Sequence, residues 1–169
     1  MPLKILHCIH SLNTKDGGPA RSVPALAAAE ASNGVDVRVW SAHPATIPLE
    51  PYGSLEFVSG RIENVISDNW MPDLIHDHGL WLRSNHAAAR LGRHRHIRRI
   101  TSPRGMLEPW CLNHRRFRKQ IAWKLYQYRD LRAAACLHAT SDSEANQFRR
   151  LGLAPVSYTH LTLPTIYSV

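Results

Sequence analysis

The chain begins with a nearly unbroken apolar run, Leu3 to Ile9 in LKILHCIH, then a polar loop, Gly17-Gly18-Pro19 and an alanine-rich segment. A run without polar alternation suits a strand buried on both faces, as in a parallel sheet. Ala20 to Asn33 has helical composition and stops at Asn33-Gly34, a C-terminal cap signal. Strand, glycine turn and helix in succession aim free backbone N–H groups at an anion. Pro24 interrupts the pattern, which predicts a helix starting near Val23 or kinked at the proline.

The same unit recurs. Val35–Ser41 alternates and reads as a second strand, 43–54 as a proline-rich loop, and LEFVS (55–59) as a short strand. PDLIHDHG (72–79) reads as a strand that turns polar at its end, and Arg83–His96 as a helix capped by Ser84 or Asn85. RRITS (98–102) is a strand, 103–113 a loop, and His114 to Ala133 a long helix. ACLHATS (135–141) is a strand, and SDSEANQFRRLG (141–152) a helix. Such alternation predicts an α/β domain: a parallel sheet with helices on both faces. In an open parallel sheet, ligands collect outside the carboxyl ends of the strands.

The 169 residues give room for one domain with a core, and 44% apolar with 20% charged residues is ordinary globular composition. No apolar run approaches a membrane span. Cys8, Cys111 and Cys136 are odd in number and lack paired spacing, so a reducing, cytoplasmic setting is expected rather than a disulfide framework.

The net charge of +8 is uneven: Arg90 to Arg132 holds thirteen Lys or Arg against Glu108 and Asp130. That window predicts an anionic partner: substrate phosphates, a lipid surface or nucleic acid. Within it, Phe117, Ile121, Leu125 and Tyr128 fall at helical spacing. Two readings stay open, a surface helix packing its stripe on the sheet and an interfacial helix facing anionic headgroups.

Several short motifs fall at the expected strand ends. Gly17-Gly18 reads either as a turn or as bare backbone against a diphosphate. His76 and His78 share one side of their strand. With no third ligand marked, no metal is expected there; His76 reads as core, and His78 as a loop cap or a contact to polar substrate. Ser141 and Glu144 form a capping-box pattern.

Taken in order, GGPARSV, DLIHDHGLW, SPRGMLEPW and HATSDSEANQFRRLGL resemble the N-terminal half of a family-4 retaining glycosyltransferase of the GT-B architecture, over residues 3–156. The resemblance implies a Rossmann-like domain facing a second one across a cleft, and transfer of sugar from a nucleotide-sugar to a saccharide or lipid-linked acceptor. It implies polysaccharide or glycolipid assembly without a metal cofactor. On the same grounds Gly17 and Gly18 would bind the donor diphosphate, and His78 and Arg104 would be catalytic. Asn13, Arg21 and Glu108 would meet the acceptor, and Arg115, Arg116, Arg118 and Lys119 would face an anionic membrane at the inner, cytoplasmic surface.

Arg104 stands where many relatives carry histidine and cannot act as a base near neutral pH, so anion or hydroxyl binding is its expected role. The donor-binding half is expected to be missing. Residues 157–169, SYTHLTLPTIYSV, have no helical face and read as a non-native, adapter-like tail. Two other classes stay open: a basic nucleic-acid-binding module, for which no reading helix or aromatic platform is found, and a non-catalytic saccharide- or lipid-binding domain.

Overall fold

A computed structural model describes residues 1–44, 52–53, 55–67, 69–153 and the backbone of 156–158. Most of the 43–54 loop and residues 159–169 lie outside the described residues.

Seven parallel strands form one sheet: β1 Lys4–Ile9, β2 Asp36–Ser41, β3 Glu56–Ser59, β4 Leu74–His78, β5 Arg98–Ser102, β6 Cys136–Ala139 and β7 Val156–Tyr158. Their order is β3-β2-β1-β4-β5-β6-β7. The chain winds outward from β1 to β3 and then crosses back, so the winding reverses between β1 and β4. That reversal opens a crevice at the carboxyl ends of these two strands. β7 takes in Ser157 and Tyr158, the first two residues of the segment that the sequence sets apart as a tail.

Side chains alternate between the two faces. On one face Ile9, Val37 and Val39 pack with Val23 and Ala27 of α1 (Pro19–Ser32). On the other, Leu6, Cys8 and Ile75 pack with Ala88 and Leu91 of α2 (Arg83–Arg95). A third cluster under β6 joins Leu131, Leu137, Ala145 and Phe148. Helices therefore cover both faces, as the strand–helix alternation requires.

Four local expectations change. α1 starts at Pro19, and Pro24 lies buried in its second turn rather than near its start. The N-cap of α2 is Leu82, so Ser84 and Asn85 lie inside the helix, where Asn85 Nδ2 donates to Asp77 at 2.8 Å. The 103–113 loop contains α3 (Pro109–Asn113), started by a proline at its first position. Arg115 then adopts φ +52, and the long helix starts after it as α4 (Arg116–Ala122). A π-helical turn, Trp123–Gln127, leads into α5 (Tyr128–Arg132). Gln127, buried in that turn, accepts the backbone N–H of Trp81 at 3.1 Å.

Of the expected apolar stripe, half-buried Tyr128 packs on the cluster under β6, but Phe117, Ile121 and Leu125 do not. Phe117 is 76% exposed, Leu125 73% and Ile121 46%, while Asp130 and Leu131 are the buried positions. The π turn adds a residue to one turn, so a stripe at 3.6-residue spacing before it does not continue onto the buried side after it.

Candidate functional site

β1 and β4 pair in register with His7 opposite His76 and Ile9 opposite His78. Alternation from that register puts His7, His76 and His78 on the α1 face of the sheet. Ser102 of β5, paired with His78, joins them. All four side chains are buried, so a layer that would ordinarily be aliphatic is polar.

Two hydrogen-bonded sets result. His76 Nε2 and His138 Nδ1 each lie 2.9 Å from Ser102 Oγ. A hydroxyl has one hydrogen, so Ser102 can donate to only one of the rings and at least one ring donates to it. The second set begins at Arg104, in the loop after β5. Its Nη2 lies 3.0 Å from His78 Nδ1, His78 Nε2 lies 3.0 Å from His7 Nδ1, and His7 Nε2 lies 2.6 Å from Glu30 Oε2 on α1.

Arginine only donates, so His78 accepts at Nδ1. A neutral imidazole accepting there keeps its hydrogen at Nε2 and donates it to His7 Nδ1. By the same logic His7 donates from Nε2 to the Glu30 carboxylate. Burial, reinforced by the neighbouring rings and Arg104, holds His76 down at about 2 and His78 well below the usual histidine value. Both imidazoles are therefore neutral at ordinary pH.

His7, His76 and His78 each offer a nitrogen within 4.8 Å of the others, the spacing of a metal cluster. Their hydrogen bonds fit an ion poorly. Both nitrogens of His7 and both of His78 are engaged, and the His78 nitrogen facing His7 carries a hydrogen rather than a free lone pair.

Arg104 reaches across the crevice. Its Nη1 donates to Ser22 Oγ on the first turn of α1 at 3.3 Å, and its buried Nε has no partner among the described residues. Its backbone lies at φ +54, a conformation that strains any residue with a Cβ. The fully buried carboxylate of Glu144 secures this loop: it accepts the Gly105 N–H at 2.6 Å and both the N–H and the hydroxyl of Thr140 at 2.9 Å. Ser141 Oγ caps the Glu144 N–H at 3.2 Å. Half of the capping box is present, and the glutamate has been diverted to the Arg104 loop.

Gly17 has φ +101, which favours glycine on conformational grounds alone. Gly18 differs: it caps α1 with ordinary helical angles, and a Cβ there would meet no atom of the described residues within 4 Å beyond its chain neighbours. Packing within the chain gives no reason for its missing side chain.

The expected catalytic pair is thus in direct contact, and Arg104 ties it to the α1 turn that follows Gly17-Gly18. No hydrogen bond among the described residues links Asn13, Arg21 or Glu108 to this group. Asn13 Oδ1 accepts the Lys15 N–H at 3.0 Å within the loop after β1, Arg21 is exposed on α1, and Glu108 is the N-cap position of α3. Arg115, Arg116 and Arg118 are exposed. Lys119 departs from its expected outward role: it is half-buried, its ammonium donates to the Cys111 carbonyl, and it lies 5.5 Å from the Trp81 ring centroid.

Sequence reasoning missed His7, Glu30, Ser102 and His138, and read Glu144 only as part of a helix cap. A signal was present for two of them, since His7 and His138, like the His76 already singled out, each interrupt an apolar strand run (KILHCI, LIHDH, CLHA).

A parallel sheet in this order, with polar groups gathered beside the reversal of winding, defines a Rossmann-like α/β domain. Residues 24–162 match the model of the Glycosyl transferase 4-like domain, and the chain belongs to that family. Among solved structures it is similar to HepE from Anabaena, determined in complex with UDP and glucose. That match has 17% identity and a TM-score of 0.61, covering 96% of this chain and 47% of that one. It is also similar to a protein from Listeria monocytogenes described as a UDP-N-acetylglucosamine 2-epimerase, at 13% identity and a TM-score of 0.61, covering 92% of this chain and 44% of that one. At these identities the likeness is one of fold. The chain spans less than half the length of either structure. No curated protein matches it.

Proposed function

We propose that the chain is the acceptor-side domain of a retaining glycosyltransferase that uses a nucleotide-sugar, and that a second, donor-binding domain lies outside residues 1–156. The observation that carries this reading is the convergence of Arg104 on both His78 and the first turn of α1, at the carboxyl ends of β4 and β5. A guanidinium beside a helix N-terminus suits a diphosphate, and Gly18 leaves backbone bare where that group would lie.

In the reaction, the bond from the anomeric carbon to the phosphate oxygen breaks and a bond from the same face to an acceptor hydroxyl oxygen forms. The hydroxyl proton passes to the departing phosphate oxygen. Negative charge grows on the diphosphate, so Arg104 and the α1 N–H groups contribute most by binding it more strongly as the bond breaks. His78, neutral and accepting from Arg104, directs that cation. Asn13, Arg21 and Glu108 are the acceptor-side candidates. No step calls for a metal.

A further part of the proposal concerns the membrane. Trp110 (73% exposed), Phe117, Ile121 and Leu125 lie among Arg115, Arg116 and Arg118 on α3, α4 and the π turn, a basic and apolar surface suited to anionic headgroups at the cytoplasmic face. No helix among the described residues is long and apolar enough to cross a membrane. A lipid-linked acceptor in polysaccharide or glycolipid assembly fits such a surface.

Transfer assays with a panel of nucleotide-sugars, run on a longer protein containing both halves and on the 169-residue chain, test the reading. The longer protein should transfer sugar without added divalent ions. The short chain should transfer none and bind donor weakly. Micromolar donor binding by the short chain, or strict metal dependence of the longer protein, would overturn it.

A further inference from the structure

We propose that Glu30 and His7 are positioning residues for Arg104, acting through His78 as a one-way relay of hydrogen-bond direction. The relay starts and ends on α1: Arg104 touches Ser22 in its first turn, and the chain of three bonds returns at Glu30, eight residues later. The proposal rests on the reading of Arg104 as an anion-binding group.

The far end of the relay fixes the near end. While the Glu30 carboxylate accepts from His7 Nε2, His7 Nδ1 is free to accept, His78 Nε2 can donate to it, and His78 Nδ1 presents a lone pair to Arg104. Without that carboxylate, His7 can carry its hydrogen at Nδ1 instead. Two N–H groups would then oppose each other across the 3.0 Å between His7 and His78. Relieving that clash moves the His78 hydrogen to Nδ1, where it opposes the Arg104 N–H and pushes the guanidinium away. A carboxylate three hydrogen bonds removed from the cation thus decides whether the cation has a place to sit. His78 is buried and neutral, so it cannot escape the conflict by turning into solvent.

Nitrogen NMR of the 169-residue chain reads the relay without any activity. At pH 7 both His7 and His78 should appear as Nε2-protonated tautomers, and Arg104 Nε–H should give one sharp, slowly exchanging resonance that shifts on adding inorganic pyrophosphate. Glu30→Leu should scramble the tautomers, broaden the Arg104 resonance and weaken pyrophosphate binding about tenfold, the scale of one charge-assisted hydrogen bond. Glu30→Gln offers His7 both an acceptor and a donor, so it should recover the parental tautomers only in part and bind pyrophosphate between the parent and Glu30→Leu. An Nδ1-protonated or cationic His78 in the parent would overturn the relay and leave the anion reading standing. So would a Glu30→Leu chain with parental tautomers and pyrophosphate affinity. If pyrophosphate shifts no Arg104 resonance in the parent, the anion reading fails as well.

Discussion

The two faces of β4 carry buried polar groups of opposite design. On the α2 face Asp77 accepts from Asn85, and Arg99 Nη1 stands 3.5 Å from its other oxygen. Close by, Asp130 receives Arg93 at 2.5 Å and His86 at 2.6 Å, and its backbone carbonyl receives Arg99. This network is closed: cations and carboxylates answer one another, and several arginines of the basic window are used up in the fold. On the α1 face the chain from Glu30 ends at a guanidinium with an Nε unpartnered among the described residues, in a strained loop facing a helix N-terminus. The closed network is built to hold strands and helices together, and the open one is built to meet a ligand. Basic residues counted in a sequence do not separate these roles; the partner at the far end of each cation does.

Changes that break each face should therefore differ in size and kind. The largest loss is expected at Arg99→Ala, which leaves the buried Asp77 carboxyl without its cation and the Asp130 backbone carbonyl without its donor. Chemical denaturation should show a loss of about 3–5 kcal/mol, the scale for an orphaned buried charge. A loss under about 1 kcal/mol would mean that the closed network does little for the fold.

Acidification should expose the open face next. His76 and His78 are neutral in the folded chain and take up protons when unfolded, so their contribution is present above about pH 6.5, the unperturbed value, and is lost as pH falls below it. Each contributes a slope of about 1.4 kcal/mol per pH unit. Asp77 works in the opposite sense, since burial raises its carboxyl to about 7 and the folded chain keeps that proton longer than the unfolded one. The imidazoles outweigh the one carboxyl, with His10 and His138 lowered in the same sense, and unfolding curves between pH 6.5 and 5 should show a net loss of at least about 1.4 kcal/mol per unit. Stability that is flat or rising on acidification would contradict the neutral assignment.

Arg104→Gly should affect stability least on either face. It loses the bonds to His78 and Ser22 and gains relief from the positive φ, so the melting midpoint should stay within the span of about 1 kcal/mol, while turnover in a longer protein falls. A large loss of stability with normal turnover would move Arg104 to the closed class. Smallest of all, Phe117→Ser should leave stability within about 0.5 kcal/mol and reduce co-sedimentation with anionic vesicles. Unchanged sedimentation would remove the membrane from the account.

Much of this architecture was legible from pattern. The strands, the crossover helices and the glycine turn follow from apolar runs and breakers, which are local properties of the chain. The polar chain was not legible, because it exists only in register: His7 meets His76 across β1 and β4, positions separated in sequence by α1, β2 and β3. Glu30 sits in an alanine-rich helix and reads as an exposed acid, and Glu144 reads as a cap until the Gly105 N–H arrives beside it. The stripe of Phe117, Ile121 and Leu125 shows the reverse failure. Spacing identified an apolar side but not which way it faces, and the π turn that breaks the pattern leaves no mark in a 3.6-residue spacing.

Gly18 offers the most direct test that the open face is shaped for a ligand. Its backbone angles are ordinary, and a Cβ there meets no atom of the described residues within 4 Å beyond its chain neighbours. Steady-state kinetics of Gly18→Val in a longer protein carrying both halves, beside its unfolding curve, separate fold from function. Stability should change by no more than about 1 kcal/mol, the range for residues at a helix N-cap, while donor affinity or turnover falls at least tenfold. Parental kinetics in a folded variant would contradict the claim that a diphosphate lies against this turn.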